Sequence, residues 1–177
     1  LGEAVESYHK ALSTMPNYAD AHYNLSNALQ ELGMSDDAVT SYRKALDLKP
    51  DHAEAHDNLG VALRELGKLE EAVASYRTAL DLKPDYAMAH SNLGVTLQDL
   101  GKLEEAEASY QKAIGLKPDF DEAHNNLGTA LKALGKLEEA VASYRKALSL
   151  KPDYAEAHNN LGNAPVSYTH LRAHETR

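Results

Sequence analysis

The stretch AEAHDNLGVALRELGKLEEAVASYRTALDLKPDY, residues 53–86, contains the signals for two helices and for the turns that end them. In its first half, Leu59 and Leu63 belong to a set of apolar residues spaced for one helix face. Gly67 follows that face and fits the left-handed position at which many helices end. The second half repeats the helical spacing until Pro84, which cannot continue a helix. The stretch therefore predicts a helix–turn–helix.

The same pattern recurs every 34 residues, as the spacing of the segment LGKLEEA shows at residues 66–72, 100–106 and 134–140, with the variant LGMSDDA at 32–38. A fixed period of this length indicates a repeat array, in which stacked helix pairs share one continuous core. The array is predicted to span residues 1–164. Its complete units are residues 19–52, 53–86, 87–120 and 121–154, and its partial units are residues 1–18 and 155–164.

The recurring residues resemble those of the tetratricopeptide repeat (TPR) family, whose signature positions are occupied here by Leu59, Gly60, Leu63, Ala72, Tyr76, Ala79 and Pro84. The resemblance implies an all-α fold, a right-handed superhelical solenoid of stacked antiparallel helix pairs. It also implies a scaffold for protein–protein interaction rather than an enzyme. The family usually has an aromatic residue where this chain has His22, His56, His90, His124 and His158. We expect each histidine to pack there with a ring nitrogen bonded nearby.

An aspartate precedes most of the predicted first helices, with a glutamate three residues later in Asp51/Glu54, Asp119/Glu122 and Asp153/Glu156. This spacing is typical of a helix N-terminus, where the aspartate side chain caps free backbone N–H groups. We therefore predict that these aspartates, and Asp85, are N-caps.

The composition excludes several kinds of function. The chain has no cysteine, so it has neither disulfides nor thiolate metal sites, and its net charge of −9 disfavours nucleic acid as a partner. No apolar run reaches the 18 residues of a membrane span. Neighbouring histidines are one repeat apart, at a helix separation of about 8–10 Å, which is too far to share one zinc ion. We expect no metal, no cofactor and a cytoplasmic location.

One asparagine recurs in every unit, immediately before the first core leucine, at Asn24, Asn58, Asn92, Asn126 and Asn160. Asparagine is a poor residue for a helix interior, so its recurrence needs a reason. An amide offers both a donor and an acceptor and so matches the backbone of an extended peptide. In the TPR family this position faces the concave groove. We predict that this asparagine row binds peptide; the alternative is that each asparagine bonds to a neighbouring helix.

The other predicted groove positions carry acidic or neutral side chains. The fifth position of each unit, for example, holds Tyr23, Asp57, Ser91, Asn125 and Asn159. Family members that clamp a peptide carboxylate carry Lys or Arg at such positions, so the resemblance does not support a carboxylate clamp. The predicted partner is an extended protein or peptide segment that is neutral or basic.

The segments NNLG, LGKLEEA and SYRKAL are also similar to the repeat arm of O-linked N-acetylglucosamine transferases. The alternative function is therefore the substrate-selecting arm of a larger enzyme, a protein glycosyltransferase. No catalytic constellation stands out in this segment, so the activity would belong to the parent protein.

The repeat pattern stops at Pro165. Residues 165–177, PVSYTHLRAHETR, have no helical period and resemble the translation of a transposase-type sequencing adaptor. We expect this tail to lie outside the array and to contribute nothing to function.

Overall fold

The structure, a computed structural model, describes residues 1–164; the predicted adaptor-derived tail lies outside the described residues. In the described part the chain forms ten helices and no strand, which confirms the all-α prediction. The helices are α1 Gly2–Thr14, α2 Ala19–Glu31, α3 Ser35–Leu48, α4 Ala53–Glu65, α5 Leu69–Leu82, α6 Ala87–Asp99, α7 Leu103–Leu116, α8 Asp121–Ala133, α9 Leu137–Leu150 and α10 Ala155–Gly162.

The chain divides into two compact units, with the boundary between Lys102 and Leu103. Within each unit, successive helices pack against each other, as a solenoid requires. In the first unit, α2 packs on α3 and α4 on α5, while α3 also contacts α4 and α5 contacts α6. In the second unit, α8 packs on α9, α7 contacts α8, and α9 contacts α10.

A glycine ends the first helix of each complete repeat, as predicted. Gly33, Gly67, Gly101 and Gly135 have φ of 74°, 72°, 74° and 76°. At Gly67, the backbone N–H bonds to Arg64 C=O at 2.9 Å, and Lys68 N–H bonds back to Leu63 C=O at 2.9 Å. This pair of bonds is the Schellman motif, which requires a left-handed residue between the helices.

The predicted aspartate caps are wrong. The N-cap residues of α4, α6, α8 and α10 are His52, Tyr86, Phe120 and Tyr154, each one position after the aspartate. The reason is a tight turn that follows each second helix: Tyr86 N–H bonds to Lys83 C=O at 3.2 Å, which places Asp85 inside the turn. At the one side-chain cap of these four helices, the His52 Nδ1 accepts from Ala55 N–H at 3.1 Å.

The second helices α3, α5, α7 and α9 each bury one tyrosine completely, and in α5 and α9 its ring lies against a glycine of the partner helix. In the first unit, a Cβ added at Gly60 would lie 2.6 Å from Cε1 of Tyr76. In the second unit, the same distance separates a Cβ at Gly128 from Cε1 of Tyr144. In these two pairs the glycine therefore allows the tyrosine ring to lie directly on the helix backbone.

Candidate functional site

The first helices lie closer to each other than the second helices do. In the first unit α2 contacts α4 and α4 contacts α6, whereas α3 and α5 share no such contact. In the second unit α8 contacts α10. Because helices on the inner side of a curve are the closer ones, the first helices form the inner face within each unit. The asparagine row lies on these helices: Asn24 is exposed, and Asn58, Asn92, Asn126 and Asn160 are partly exposed.

The asparagine amides bridge successive first helices. Asn92 Nδ2 donates to Asp57 Oδ1 at 3.1 Å, and Asn160 Nδ2 donates to Asn125 Oδ1 at 3.0 Å. Asn58 Nδ2 donates to the Tyr23 hydroxyl at 3.2 Å. In all three bonds the acceptor residue lies 35 positions before the asparagine.

The inter-helix bonds use the N–H₂ half of each amide. Asn58, Asn92 and Asn160 donate in them through Nδ2, so their Oδ1 atoms are not consumed by these bonds. Asn126 instead accepts, through Oδ1, from the neighbouring Asn125 at 3.5 Å. Asn58, Asn92 and Asn160 therefore join successive first helices and also have carbonyl oxygens for a second contact.

Three residues expected in the groove are buried instead: Asp57, Ser91 and Asn125 are 3%, 4% and 0% exposed. For Asp57 and Asn125 the cause is the first helix of the following repeat, from which Asn92 and Asn160 reach back. At the same position, Tyr23 is half-buried and Asn159 is exposed. The spacing predicted the helix face correctly but not its coverage by the next helix, which depends on repeat stacking.

Burial raises the pKa of the Asp57 carboxyl, and its hydrogen bonds with Asn92 and Tyr86 oppose that rise. In turn, burial and the nearby Asp57 charge raise the pKa of the Tyr86 hydroxyl. A buried carboxylate held only by neutral donors is costly unless those donors stay in place. Asp57 is therefore a structural acceptor beneath the inner face.

Beside Asn58, the inner face opens into a polar pocket of about 260 Å³, lined by Asn27, Gln30, Glu31, Tyr42 and Asn58. The Tyr42 hydroxyl lies 2.6 Å from Asn27 Oδ1 and 2.8 Å from Gln30 Oε1. Asn58 Nδ2 also donates to Asn27 Oδ1, at 3.1 Å. Sequence reasoning missed the Tyr42–Asn27 pair, although their spacing of 15 residues recurs in the Tyr144–Thr129 bond of the second unit.

Basic side chains near the inner face of the first unit are engaged in ion pairs. Arg64 lies 3.6 Å from Asp99, and Lys83 Nζ donates to Glu54 at 2.9 Å. The Lys83 bond lowers the pKa of the Glu54 carboxyl. Glu31 and Asp20 are exposed on the same helices. The charges that this face offers a ligand are thus mainly negative.

The five histidines at the family's aromatic position each have a ring nitrogen bonded to the backbone, as predicted. The Nε2 atoms of His22, His56, His90, His124 and His158 lie 2.8, 2.9, 3.0, 3.1 and 2.8 Å from the carbonyl oxygen of the proline six residues earlier. Within residues 1–164, no three histidine or acidic side chains come together as ligands for a metal ion. In the same range, no helix combines the length and apolar character needed to cross a membrane.

Comparison with known families identifies the repeat. The family model described as "TPR repeat" matches residues 1–33, 35–67, 62–101, 96–135 and 128–165, which is nearly the whole chain. The chain belongs to the tetratricopeptide-repeat family. No curated protein sequence matches this TPR chain.

Solved structures of similar fold are TPR proteins. MamA is 30% identical, with a TM-score of 0.80, over 84% of this chain and 86% of MamA. YrrB, described as a TPR protein with an unusual peptide-binding site, is 26% identical, with a TM-score of 0.75, over 89% and 81% of the two chains. TTC0263, a thermophilic TPR protein of Thermus thermophilus, is 27% identical, with a TM-score of 0.71, over 90% and 88%.

Proposed function

We propose that this TPR chain is a protein-interaction scaffold that binds an extended peptide segment on the inner face formed by its first helices. The observation that carries the proposal is that Asn58, Asn92 and Asn160 of the asparagine row donate through Nδ2 to neighbouring helices, in bonds that leave their Oδ1 atoms as acceptors. A fixed amide is a better ligand group than a free one, because its conformational entropy is lost before binding. The peptide-binding site named for YrrB supports the same class of function.

The fixed amides favour recognition of peptide backbone rather than of one side-chain sequence. Each Oδ1 accepts from a peptide N–H, a group that recurs along any extended chain. The acidic side chains around the row repel an acidic ligand. The net charge of −9 adds a long-range repulsion of the same kind. The proposed partner is therefore an extended segment that is neutral or basic.

The test is a peptide-library screen followed by calorimetry on a variant of the whole chain. In this variant Asn24, Asn58 and Asn92, which all lie in the first unit, are replaced by alanine. Each lost hydrogen bond is worth about 0.5–1.5 kcal/mol, so we expect a loss of about 1.5–4.5 kcal/mol in binding free energy. The matched control replaces Thr40, Thr78 and Ser109 by alanine; these lie on second helices and bond to their own helix backbones.

Thermal unfolding of both variants separates binding from stability. Loss of the inter-helix bonds of Asn58 and Asn92 lowers stability, and the better helix propensity of alanine partly offsets that loss. We expect the asparagine variant to stay folded at the temperature of the binding assay and to lose affinity, while the control keeps it. Full affinity in a folded asparagine variant would show that the row is purely structural.

A further inference from the structure

The polar pocket beside Asn58 has more hydrogen-bond acceptors than donors. The buried Tyr42 hydroxyl lies 2.6 Å from Asn27 Oδ1 and 2.8 Å from Gln30 Oε1. Burial raises the pKa of this hydroxyl, so the group stays protonated and has a single hydrogen to donate. The shorter contact needs that hydrogen, because two oxygen atoms approach so closely only in a hydrogen bond. Gln30 Oε1 therefore lacks a hydrogen from Tyr42.

The amide of Gln30 leaves an acceptor open in either of its two orientations. In the one just described, Oε1 faces the Tyr42 hydroxyl oxygen, and Nε2 lies 3.5 Å from Glu65 Oε1, which is long for a hydrogen bond. In the reverse orientation, Nε2 donates to Tyr42, and Oε1 faces the Glu65 carboxylate without a hydrogen between them. A donor from outside the chain satisfies Gln30 in both cases.

Two carboxylates increase this excess of acceptors. Glu31 lines the pocket, and Glu65 adjoins it through Gln30. Both glutamates are exposed, and Glu65 accepts from the Ser35 hydroxyl at 2.8 Å. Among residues 1–164, neither glutamate forms an ion pair with a lysine or an arginine. The pocket thus combines negative charge with open acceptors, which favours a cationic donor as its occupant.

The next repeat contains the cation that fits this place. Arg64 stands one period after Gln30. Its guanidinium lies 3.6 Å from Asp99, the residue one period after Glu65. At that junction the chain supplies its own guanidinium to the carboxylate. At the junction between the first two complete repeats, the carboxylate is present and the cation is replaced by a neutral amide.

We propose that this pocket takes an arginine side chain of the extended peptide and holds its guanidinium among Gln30, Glu31 and Glu65. A guanidinium has five N–H donors and no acceptor, so it matches a site of carboxylates and amide oxygens. A lysine ammonium has fewer donors and is more strongly hydrated, so it fits less well. The proposal rests on the proposed function, because a peptide held along the asparagine row passes over this pocket beside Asn58.

The first test uses Nα-acetyl-arginine amide as a probe for the pocket, with the isosteric but uncharged Nα-acetyl-citrulline amide as the matched negative probe. Side-chain amide resonances of the isotope-labelled full chain report binding at millimolar probe concentrations. We expect the arginine probe to shift the resonances of Gln30 and Asn27 saturably and the citrulline probe to leave them in place. An arginine probe that shifts neither residue would overturn the proposal.

Gln30→Arg places a guanidinium of the chain itself in the pocket and is expected to abolish the response of Asn27 to the arginine probe. This variant should fold normally, because Arg64 stands at the same position of α4. Glu31→Gln and Glu65→Gln each remove one carboxylate. Each should weaken binding of the arginine probe about two- to fivefold, as expected for an exposed ion pair.

The control variants repeat the same charge changes at exposed positions of second helices. Gln111→Arg on α7 matches Gln30→Arg, and Glu70→Gln on α5 matches the two glutamate variants. Both controls should bind the arginine probe like the wild type, and circular dichroism checks that every variant keeps its helix content. An equal loss of binding in a control and in its matched variant would reduce the effect to net charge and overturn the proposal.

The second test takes the peptides selected in the library screen and places arginine or citrulline at each of their positions in turn. We expect one position at which the wild type binds arginine about tenfold more tightly than citrulline, and Gln30→Arg to bind the two peptides equally. If peptides bind without such a preference, the proposed function stands and the arginine pocket is wrong. If no library peptide binds, the proposed function fails and this proposal fails with it.

Discussion

At the scale of single residues, equivalent positions carry different side chains and so give each repeat its own local chemistry. The buried tyrosine hydroxyl is the clearest case. Tyr42 bonds to Asn27, and Tyr144 bonds to Thr129 at 3.3 Å. Tyr76 has Val61 at that position, and among the described residues its buried hydroxyl has no hydrogen-bond partner. A buried polar group without a partner costs free energy that a single substitution can recover.

Val61→Thr is expected to stabilise the chain by about 0.5–1.5 kcal/mol, because the threonine hydroxyl accepts a bond from Tyr76 as Thr129 does from Tyr144. Urea unfolding monitored by circular dichroism measures the change. The control is Val73→Thr, in which the same new hydroxyl is placed at a position 5% exposed and is expected to destabilise the chain. Equal effects of the two substitutions would contradict the role of Tyr76.

Asp57 is expected to make stability depend on pH. Its pKa is raised in the folded state, so its contribution is fully present below the ordinary pKa of aspartate and is lost as the pH rises through the raised value. Asp57→Asn keeps the acceptor for Asn92 and cannot ionise. The stability of this variant relative to the wild type should therefore increase from acid to neutral pH, by about 1.4 kcal/mol per unit of pKa difference.

A second substitution provides a control of opposite sign for that experiment. Lys83 lowers the pKa of Glu54, so the contribution of Glu54 is lost as the pH falls. The stability of Glu54→Gln relative to the wild type should therefore increase towards acid pH, by a small amount because the two side chains are 43% and 45% exposed and solvent screens the pair. The measurement is the free energy of unfolding of each variant and of the wild type across the acid pH range. If the difference between Asp57→Asn and the wild type does not change with pH, the pKa of the Asp57 carboxyl is not raised.

At the scale of the helices, local sequence signals predicted the boundaries well where the signal was steric. The glycines after the first helices could be predicted because only a left-handed residue allows the Schellman bonds. The prolines likewise mark the ends of the second helices. The N-caps could not be predicted, because the aspartate is part of the turn at Lys83–Tyr86 and the helix begins one residue later. Capping preference is a weaker constraint than the geometry of a turn that contains proline.

Gly60→Ala is expected to destabilise the chain by about 1–3 kcal/mol, because the new Cβ would overlap the buried Tyr76 ring. Gly115→Ala is the matched control: its Cβ meets no described atom within 4 Å, so helix propensity stabilises it by up to about 1 kcal/mol. Ser26 stands at the position of Gly60 in α2, which shows that another pair accommodates a Cβ. Thermal melts of the two variants should shift in opposite directions, and a gain for Gly60→Ala would mean that the ring moves at no cost.

At the scale of the whole molecule, the period predicted the all-α repeat array and its family from sequence alone. The asparagine row could be located from sequence, but its inter-helix bonds could not, because they depend on how successive repeats pack. The assignment of the row as a peptide site stays a prediction. The burial of Asp57 and Asn125 could not be predicted for the same reason. Each is covered by a residue about one period away, and the local sequence around either residue does not indicate such a contact.

Burial along the array predicts where it opens first. The helix α1 has no buried residue and α10 has only Ala157, whereas α4 and α8 each bury seven residues. Amide hydrogen exchange in dilute solution should therefore be fastest in α1 and α10, because local opening there exposes the least buried surface. Uniform protection along residues 1–164 would contradict this expectation.

The bonds that span 35 residues have a consequence for how such an array changes in length. The donor is always the same amide, while the acceptor is a phenol at Tyr23, a carboxylate at Asp57 and another amide at Asn125. An N–H₂ group can donate to any of these oxygens, so a repeat inserted by unequal crossing-over finds a usable partner at its new junction. The gene can then gain or lose whole units without compensating substitutions, and the acceptor side remains free to diversify under selection.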